Sequence, residues 1–341
     1  MQIELIVESA GRLFESRAPL GRSSGDWPGD LWREIEESGY PLALLSEDDG
    51  GFGFSTEEAL AMVRVAAASA VPLPVGETML ANWLLVRAGS HPLQGALTLA
   101  EETREGLVRV PFGRYAAAVL AFSDQGGSQD RLSVYCPPAQ AWRHEFSVAG
   151  EARDSSGVEA LGPPRATMPS PVDRQVFRAL GTVVRAVQMA GAIERTLELA
   201  LQYTGSREQF GRALAKFQVI QHQLAVMAAQ TAAARTAADM AAEALSLALS
   251  APARFLVLAA SSKIRAADAA TAVAAAVHQM HGAIGFSEEY PLHHLTRRLW
   301  AWRDEYGTEN QWAGVLARQL AGQAAGSGLW PCLTALHSER G

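Results

Sequence analysis

The chain contains 341 residues, of which 48% are hydrophobic and 19% are charged, and its formal net charge is −7. At about 100–200 residues per domain this length predicts two or three domains, and the composition excludes a wholly disordered protein. Because acidic residues outnumber basic ones, the charge also excludes a nucleic acid as the main partner.

The cysteines and the apolar segments give expectations for the cellular compartment of the protein. Cys136 and Cys332 are far apart and have no CxxC pair or metal-ligand cluster around them, which predicts a reducing compartment and no structural zinc. Glu4 and Glu8 stand where a secretory signal would be basic and then apolar. The longest uncharged stretch, 269–287, is interrupted by histidines and makes a poor membrane span. We therefore expect a cytoplasmic protein with no membrane partner.

The first part of the chain, 1–92, has the pattern of a helical domain with glycine and proline between its helices. Ser55 precedes an apolar periodic stretch and Glu58 follows three residues later, which is the pattern of a capping box. Residues 93–172 instead contain short apolar runs of strand length, such as 116–123 and 131–136, between turn-forming segments. This pattern predicts a small β domain.

From residue 173 to 325 the sequence again becomes helical and rich in alanine. We predict helices over about 173–203, 218–249, 252–280 and 309–322, and long helices with short connections favour an antiparallel four-helix bundle. Small side chains permit close helix approach, so this bundle is also the predicted oligomer interface. The tail, 326–341, is expected to pack on a neighbouring molecule or to stay partly mobile.

Two loops of the helical region contain residues that occur at ligand-binding sites but also in ordinary helix connections and caps. The first reads Arg207-Glu208-Gln209-Phe210-Gly211-Arg212 and continues to Phe217-Gln218. An arginine between helices can pair with a phosphate, and a helix N-terminus offers free N–H groups. The second runs from Gln279 through Gly282, Ala283 and Gly285 to Phe286, where small residues allow close approach of a ligand to the backbone.

Together with a third segment, Asp304-Glu305-Tyr306-Gly307-Thr308, these loops resemble motifs of the acyl-CoA dehydrogenase family. The resemblance implies a mainly α fold with an N-terminal helical domain, a small middle β domain and a C-terminal four-helix bundle. It also implies FAD as the cofactor and an acyl-CoA thioester as the substrate. The FAD-binding residues that it implies are Arg207, Gln209, Phe210, Gln218, Gln279, Gly282 and Ala283.

The third segment departs from the family at the catalytic base. The resemblance places the base at Tyr306, and in some members at a position that corresponds to Gly181, and neither residue is a carboxylate. A tyrosine has an ordinary pKa near 10 and is a poor base at neutral pH. Glu305, displaced by one residue, is the candidate base that remains, provided that its side chain can reach the substrate.

The β domain departs as well, because the stretches that hold the flavin ring in the family are absent, and Trp142 is expected to be a packed residue rather than a flavin contact. The chain thus resembles the short, base-lacking subunits of heteromeric acyl-CoA dehydrogenases that act on steroid side-chain CoA esters. Such a subunit would contribute contacts to the adenine and pyrophosphate half of FAD across a subunit interface.

The implied partners are a homologous catalytic subunit in a heterotetramer, or further copies of this chain, and an electron-transfer acceptor. Three alternatives stay open: a non-catalytic structural partner, a self-sufficient dehydrogenase that uses Glu305, and a helical scaffold whose motifs match by chance. Four histidines near the second loop do not have the spacing of a ligand set, so we expect no metal. The histidines are His278, His281, His293 and His294.

Overall fold

The computed structural model describes residues 2–17, 27–123 and 130–327. Its N-terminal part contains the helices α1 (Gln2–Arg17), α2 (Gly29–Glu37), α3 (Thr56–Ala68) and α4 (Val75–Arg87). The predicted capping box is confirmed: the Ser55 hydroxyl accepts a hydrogen bond from Glu58 N, and the Glu58 carboxylate accepts one from Ser55 N. Residues 75–85 of α4 are all buried, so this helix is the centre of the N-terminal part.

The middle of the chain forms a six-stranded sheet, in which β1 and β3 are parallel and every other neighbouring pair is antiparallel. The strands are β1 (Leu97–Thr103), β2 (Gly106–Pro111), β3 (Ala118–Ser123), β4 (Arg131–Tyr135), β5 (Arg153–Gly157) and β6 (Ala166–Pro169), in the order β5-β2-β1-β3-β4-β6. A short helix, α5 (Val158–Leu161), follows β5. One face of the sheet joins the helical core, and Trp142 is buried in a separate apolar cluster on the other face.

The C-terminal part contains α6 (Arg174–Ser206), α7 (Gln218–Ala244), α8 (Pro252–His281), α9 (Leu292–Asp304) and α10 (Glu309–Ser327). A hairpin of two short strands, β7 (Glu208–Gln209) and β8 (Arg212–Ala213), joins α6 to α7. Four of the helices begin within one residue of the predicted positions. However, α7 ends earlier than predicted, with one turn of 3-10 helix at Leu245–Leu247, and α10 continues to Ser327.

Helix α9 was not predicted from the sequence, so the region contains the four predicted long helices and one shorter helix. This helix contains histidine, arginine and tryptophan and only one alanine, unlike the alanine-rich helices that were recognised. Its buried residues Leu292, Leu295, Leu299 and Trp302 nevertheless follow helical spacing and pack with α6 and α8 in one apolar cluster.

The predicted domain boundaries at 92/93 and 172/173 fall in the connections between α4 and β1 and between β6 and α6. Residues 326 and 327 of the predicted tail belong to α10, and the rest of the tail lies outside the described residues. Among the described helices, α6 alone is long and apolar enough to cross a membrane, and 94% of its most apolar window is buried inside the protein. It is therefore the central helix of the core.

Candidate functional site

The connection from the end of α6 to the start of α7 carries four of the predicted FAD-binding residues, Arg207, Gln209, Phe210 and Gln218, and all four are exposed. Phe210 has a left-handed backbone, with φ of 52°, and its side chain is 93% exposed. Phe210 thus combines an exposed aromatic ring with a costly backbone conformation. Helix α7 begins at Gln218, and no side chain caps its N-terminus. Ile220 N already donates to the Phe217 carbonyl, so the N–H groups of Gln218 and Val219 are the ones that could meet a ligand.

The second predicted loop follows the last turn of α8. Gln279 is exposed in that turn, and Gly282 ends the helix with a left-handed φ of 59°. Ala283 is also exposed, and a Cβ atom at Gly282 would meet no atom within 4 Å. The backbone of this loop is therefore open to a ligand from outside the chain.

The structure brings the two loops to the same end of the bundle. Tyr203, one turn before Arg207, stacks on His281 with ring centroids 4.2 Å apart. The Tyr290 hydroxyl lies 3.1 Å from Nε2 of the same His281 ring. One exposed end thus combines a cation, an exposed aromatic ring, an uncapped helix N-terminus and a glycine turn. This set fits a ligand that carries phosphates and a flat ring, as FAD does.

The histidines near these loops have structural partners. His281 is buried in contact with the rings of Tyr203 and Tyr290, and His278 Nε2 lies 3.0 Å from the Thr296 hydroxyl. Burial lowers the pKa of His294 to about 4, so this ring is neutral at pH 7. Within the described ranges no group of three or more metal-ligating side chains converges.

Glu305 lies in a different part of the molecule from these loops. It is the residue that follows the last turn of α9, and its side chain contacts Arg185 on α6. Arg185 precedes Arg207 by 22 positions, which at 1.5 Å per residue places it about 33 Å from the first loop along α6. Its carboxylate accepts hydrogen bonds from Arg153 Nε at 2.6 Å and from Arg185 Nε at 2.7 Å. Burial alone would raise the pKa of Glu305, but the two guanidinium groups outweigh it and lower this pKa to about 2.

The two arginines extend this contact into a chain of buried ion pairs, which sequence reasoning did not detect. Arg185 Nη2 lies 2.6 Å from a Glu77 oxygen, and Arg153 Nη2 lies 3.2 Å from a Glu151 oxygen. Arg298 Nε donates to the other Glu151 oxygen at 2.8 Å. We call these six residues the buried ionic cluster: Glu77, Glu151, Arg153, Arg185, Arg298 and Glu305. The available sequence signal was a charged residue, Arg185, within an otherwise apolar stretch of α6.

Tyr306 and Gly181, the two positions that the resemblance assigns to the base, are in direct contact. A Cβ atom built on Gly181 would lie 2.5 Å from Cδ1 and Cε1 of Tyr306. Burial raises the pKa of the Tyr306 hydroxyl above its ordinary value, and the Arg185 guanidinium lies 5.3 Å from the centre of its ring. The ring therefore fills the space beside Gly181 and provides no base at neutral pH.

The turn that carries these residues is fixed through its backbone. Lys263 Nζ donates to the Trp302 carbonyl at 2.7 Å and to the Glu305 carbonyl at 2.9 Å. The Tyr306 carbonyl accepts hydrogen bonds from the Thr182 hydroxyl and from Trp312 Nε1, at 3.1 and 3.0 Å. Glu305 keeps one fifth of its side chain exposed, but its neighbours restrict any movement toward another position.

Comparisons with known proteins identify relatives of this chain. Residues 179–321 match the family model for the acyl-CoA dehydrogenase C-terminal domain. The chain is 27% identical over 288 residues to acyl-CoA dehydrogenase IpdE2 of Mycobacterium tuberculosis, with 83% of each chain covered. It is also 31% identical to acyl-CoA dehydrogenase FadE34 of the same organism. That match covers 91% of this chain but only 46% of FadE34, which is the longer protein.

The fold is also that of a solved structure. A chain of the ChsE4-ChsE5 complex from Mycobacterium tuberculosis superposes with a TM-score of 0.81 at 21% identity, over 94% of this chain and 97% of that one. The domain order, the two exposed loops and the sequence matches therefore lead to one conclusion. The chain belongs to the acyl-CoA dehydrogenase family, whose members are FAD-binding flavoproteins.

Proposed function

We propose that this chain is a subunit of an FAD-dependent acyl-CoA dehydrogenase that introduces an α,β double bond into an acyl-CoA thioester. In this proposal the chain contributes contacts to the adenine and pyrophosphate half of FAD across a subunit interface, and a homologous subunit supplies the catalytic base. The observation that carries the proposal is the contrast between its two regions. The loop end of the bundle is open and presents Arg207 to the solvent, whereas the base region is filled by Tyr306 and neutralised by ion pairs.

Each residue at the loop end would have a separate task toward the cofactor. Arg207 would pair with the pyrophosphate, and the uncapped N-terminus of α7 would add N–H donors. Phe210 would cover the flat adenine ring, and Gln279 would donate or accept a hydrogen bond beside it. Bound FAD supplies the hydride acceptor of the oxidation.

The base region supports the need for a second subunit. A general base works best when its pKa lies near the operating pH, and the two arginines hold the pKa of Glu305 at about 2. To abstract an α-proton, this carboxylate would have to give up its hydrogen bonds to Arg153 and Arg185. A carboxylate on a partner subunit would have no such restraint.

The partners follow from the same reasoning. The likeness to a chain of the ChsE4-ChsE5 complex supports an assembly of two different homologous subunits. The electrons that the substrate loses must leave the enzyme, so we also propose an electron-transfer acceptor. For the substrate we propose a bulky acyl group of the steroid side-chain class, and for the compartment the cytoplasm.

The experiment that tests this function measures the flavin content of the assembled oligomer. Co-expressed with a base-containing homologue, the chain should purify with bound FAD, and Arg207→Ala should lower FAD retention about tenfold or more, as expected for the loss of a charge-assisted hydrogen bond. Arg33→Ala, in an exposed pair with Asp30 on α2, is the matched control and should retain all the flavin. Equal flavin occupancy in both variants would contradict the proposed role of Arg207.

A further inference from the structure

The buried ionic cluster is more ordered than a chance group of charges. Its ion pairs form one unbranched series of alternating sign, from Glu77 through Arg185, Glu305, Arg153 and Glu151 to Arg298. Three carboxylates and three guanidinium groups give it no net formal charge. Both carboxylate oxygens of Glu305 and of Glu151 have an arginine partner.

This series connects all parts of the fold. Glu77 lies on α4 of the N-terminal part, and Arg185 lies on α6 of the bundle. Arg153 begins β5, Glu151 precedes this strand by two residues, and Arg298 lies on α9. Except for Glu305, each of these side chains is at most 3% exposed. Nearby, Arg297 Nε donates to the Val148 carbonyl at 2.6 Å, which adds a second polar contact between α9 and the β domain.

We propose that the buried ionic cluster is a lock that holds the three domains together without a flavin, and that Glu305 is its central counter-ion rather than a proton acceptor. Glu305 occupies the middle of the series, because it joins the arginine of the bundle to the arginine of the β domain. Lys263 fixes its backbone from α8. This inference does not depend on the proposed function, since it concerns how the chain holds its own domains.

The physical basis of the lock is the cost of breaking it. Charges taken out of water are stable only when each has its partner, and removal of one partner leaves an uncompensated buried charge. A domain movement that separates β5 from α6 would expose both arginines of Glu305 at once. A protein that needs a cofactor to join its domains is strongly stabilised by that cofactor, whereas this chain should gain little from it.

A double-mutant cycle of Arg153→Met and Glu305→Gln in the full chain tests the lock. Arg153→Met alone should raise the equilibrium constant of unfolding about 100-fold or more, as expected for one broken buried pair. The double variant should raise it by clearly less than the product of the two single effects, because the two residues share one interaction. Arg33→Met, which breaks the exposed pair with Asp30, is the control and should change it by less than about fivefold.

A second measurement decides the matter if Arg153→Met does not fold. The unmodified chain, purified without its partner and freed of flavin, should unfold in one cooperative thermal transition whose midpoint does not move when FAD is added. Additive effects in the cycle, or a chain that acquires its folded transition only with FAD, would overturn the lock. Neither result would bear on Arg207, so a failure of the lock can be told from a failure of the proposed function.

Discussion

The ring of Tyr306 lies directly against the backbone of Gly181, so that a methyl group on Gly181 would stand 2.5 Å from two ring atoms. The two positions that the family resemblance assigns to a base are thus used for packing each other. Gly181 provides the space that the ring occupies, and Tyr306 itself has a left-handed backbone with φ of 55°. With Tyr306 in this place, there is no room for a larger side chain at position 181.

The contact predicts the effect of a methyl group at Gly181. Gly181→Ala should lower the free energy of unfolding by about 1–3 kcal/mol because it overpacks the site. Gly205→Ala is the control in the same helix: nothing lies within 4 Å of its Cβ position, and it should raise stability by about 0.5–1 kcal/mol. In chemical denaturation, Tyr306→Ala should remove most of the penalty of Gly181→Ala, and a penalty that persists in the double variant would contradict the packing contact.

Removal of the Tyr306 hydroxyl is expected to leave the stability of the chain unchanged or to raise it. Its buried hydroxyl has no hydrogen-bond partner among the described residues, whereas the Tyr135 hydroxyl donates to Glu102 at 3.1 Å. Tyr306→Phe should therefore leave stability unchanged or raise it, while Tyr135→Phe should lower it by about 0.5–1.5 kcal/mol. Thermal unfolding of both variants gives the comparison, and a larger loss for Tyr306→Phe would mean that its hydroxyl has a partner.

The Glu305 carboxylate predicts a specific dependence of stability on pH. Its pKa is about 2 in the folded chain against an ordinary value of 4.5, so the unfolded state binds its proton first as the pH falls. The stabilisation from Glu305 should be complete above about pH 4.5 and should disappear as the pH approaches 2. In Glu305→Gln the free energy of unfolding should fall less steeply between about pH 4.5 and 2 than in the wild type, whereas Asp30→Asn, the control, should keep the wild-type slope. Equal slopes of unfolding free energy against pH for the wild type and Glu305→Gln would contradict this prediction.

Phe210 is expected to lower the stability of the chain while it favours FAD binding. A left-handed backbone costs a non-glycine residue about 1 kcal/mol or more, so Phe210→Gly should stabilise the isolated chain by about that amount. The same change removes an exposed ring from the loop and should weaken FAD retention in the assembled oligomer. Phe146→Gly, at another exposed aromatic residue with an ordinary φ, should destabilise the chain and leave FAD retention unchanged.

The features that could be predicted from the sequence are those that depend on residues close together in the chain. The capping box at Ser55 and the starts of α6, α7 and α8 follow from local spacing, and the structure confirms them. The resemblance placed the Arg207 and Gln279 loops in one site, and the Tyr203–His281 stack shows that they do share one end of the bundle.

The buried ionic cluster could not be predicted in this way. Glu77, Arg153, Arg185 and Glu305 are separated by tens of residues, and each charge is acceptable in the core only because of the others. Local patterns carry no information on such pairs. Helix α9 was missed for a different reason: its buried residues Leu295 and Trp302 follow helical spacing, but it lacks the alanine-rich composition by which the other helices were predicted.

The most direct test of the proposed function is the acyl-CoA-dependent reduction of an electron acceptor by the purified chain, with FAD added, alone and after assembly with a homologue that keeps a carboxylate base. The loss of a general base typically costs about 10²–10⁴ in rate. The isolated chain should therefore show no appreciable turnover with any acyl-CoA ester of a broad panel, and activity should appear with the second subunit. Turnover by the isolated chain that disappears in Glu305→Gln would contradict the account and identify Glu305 as a displaced base.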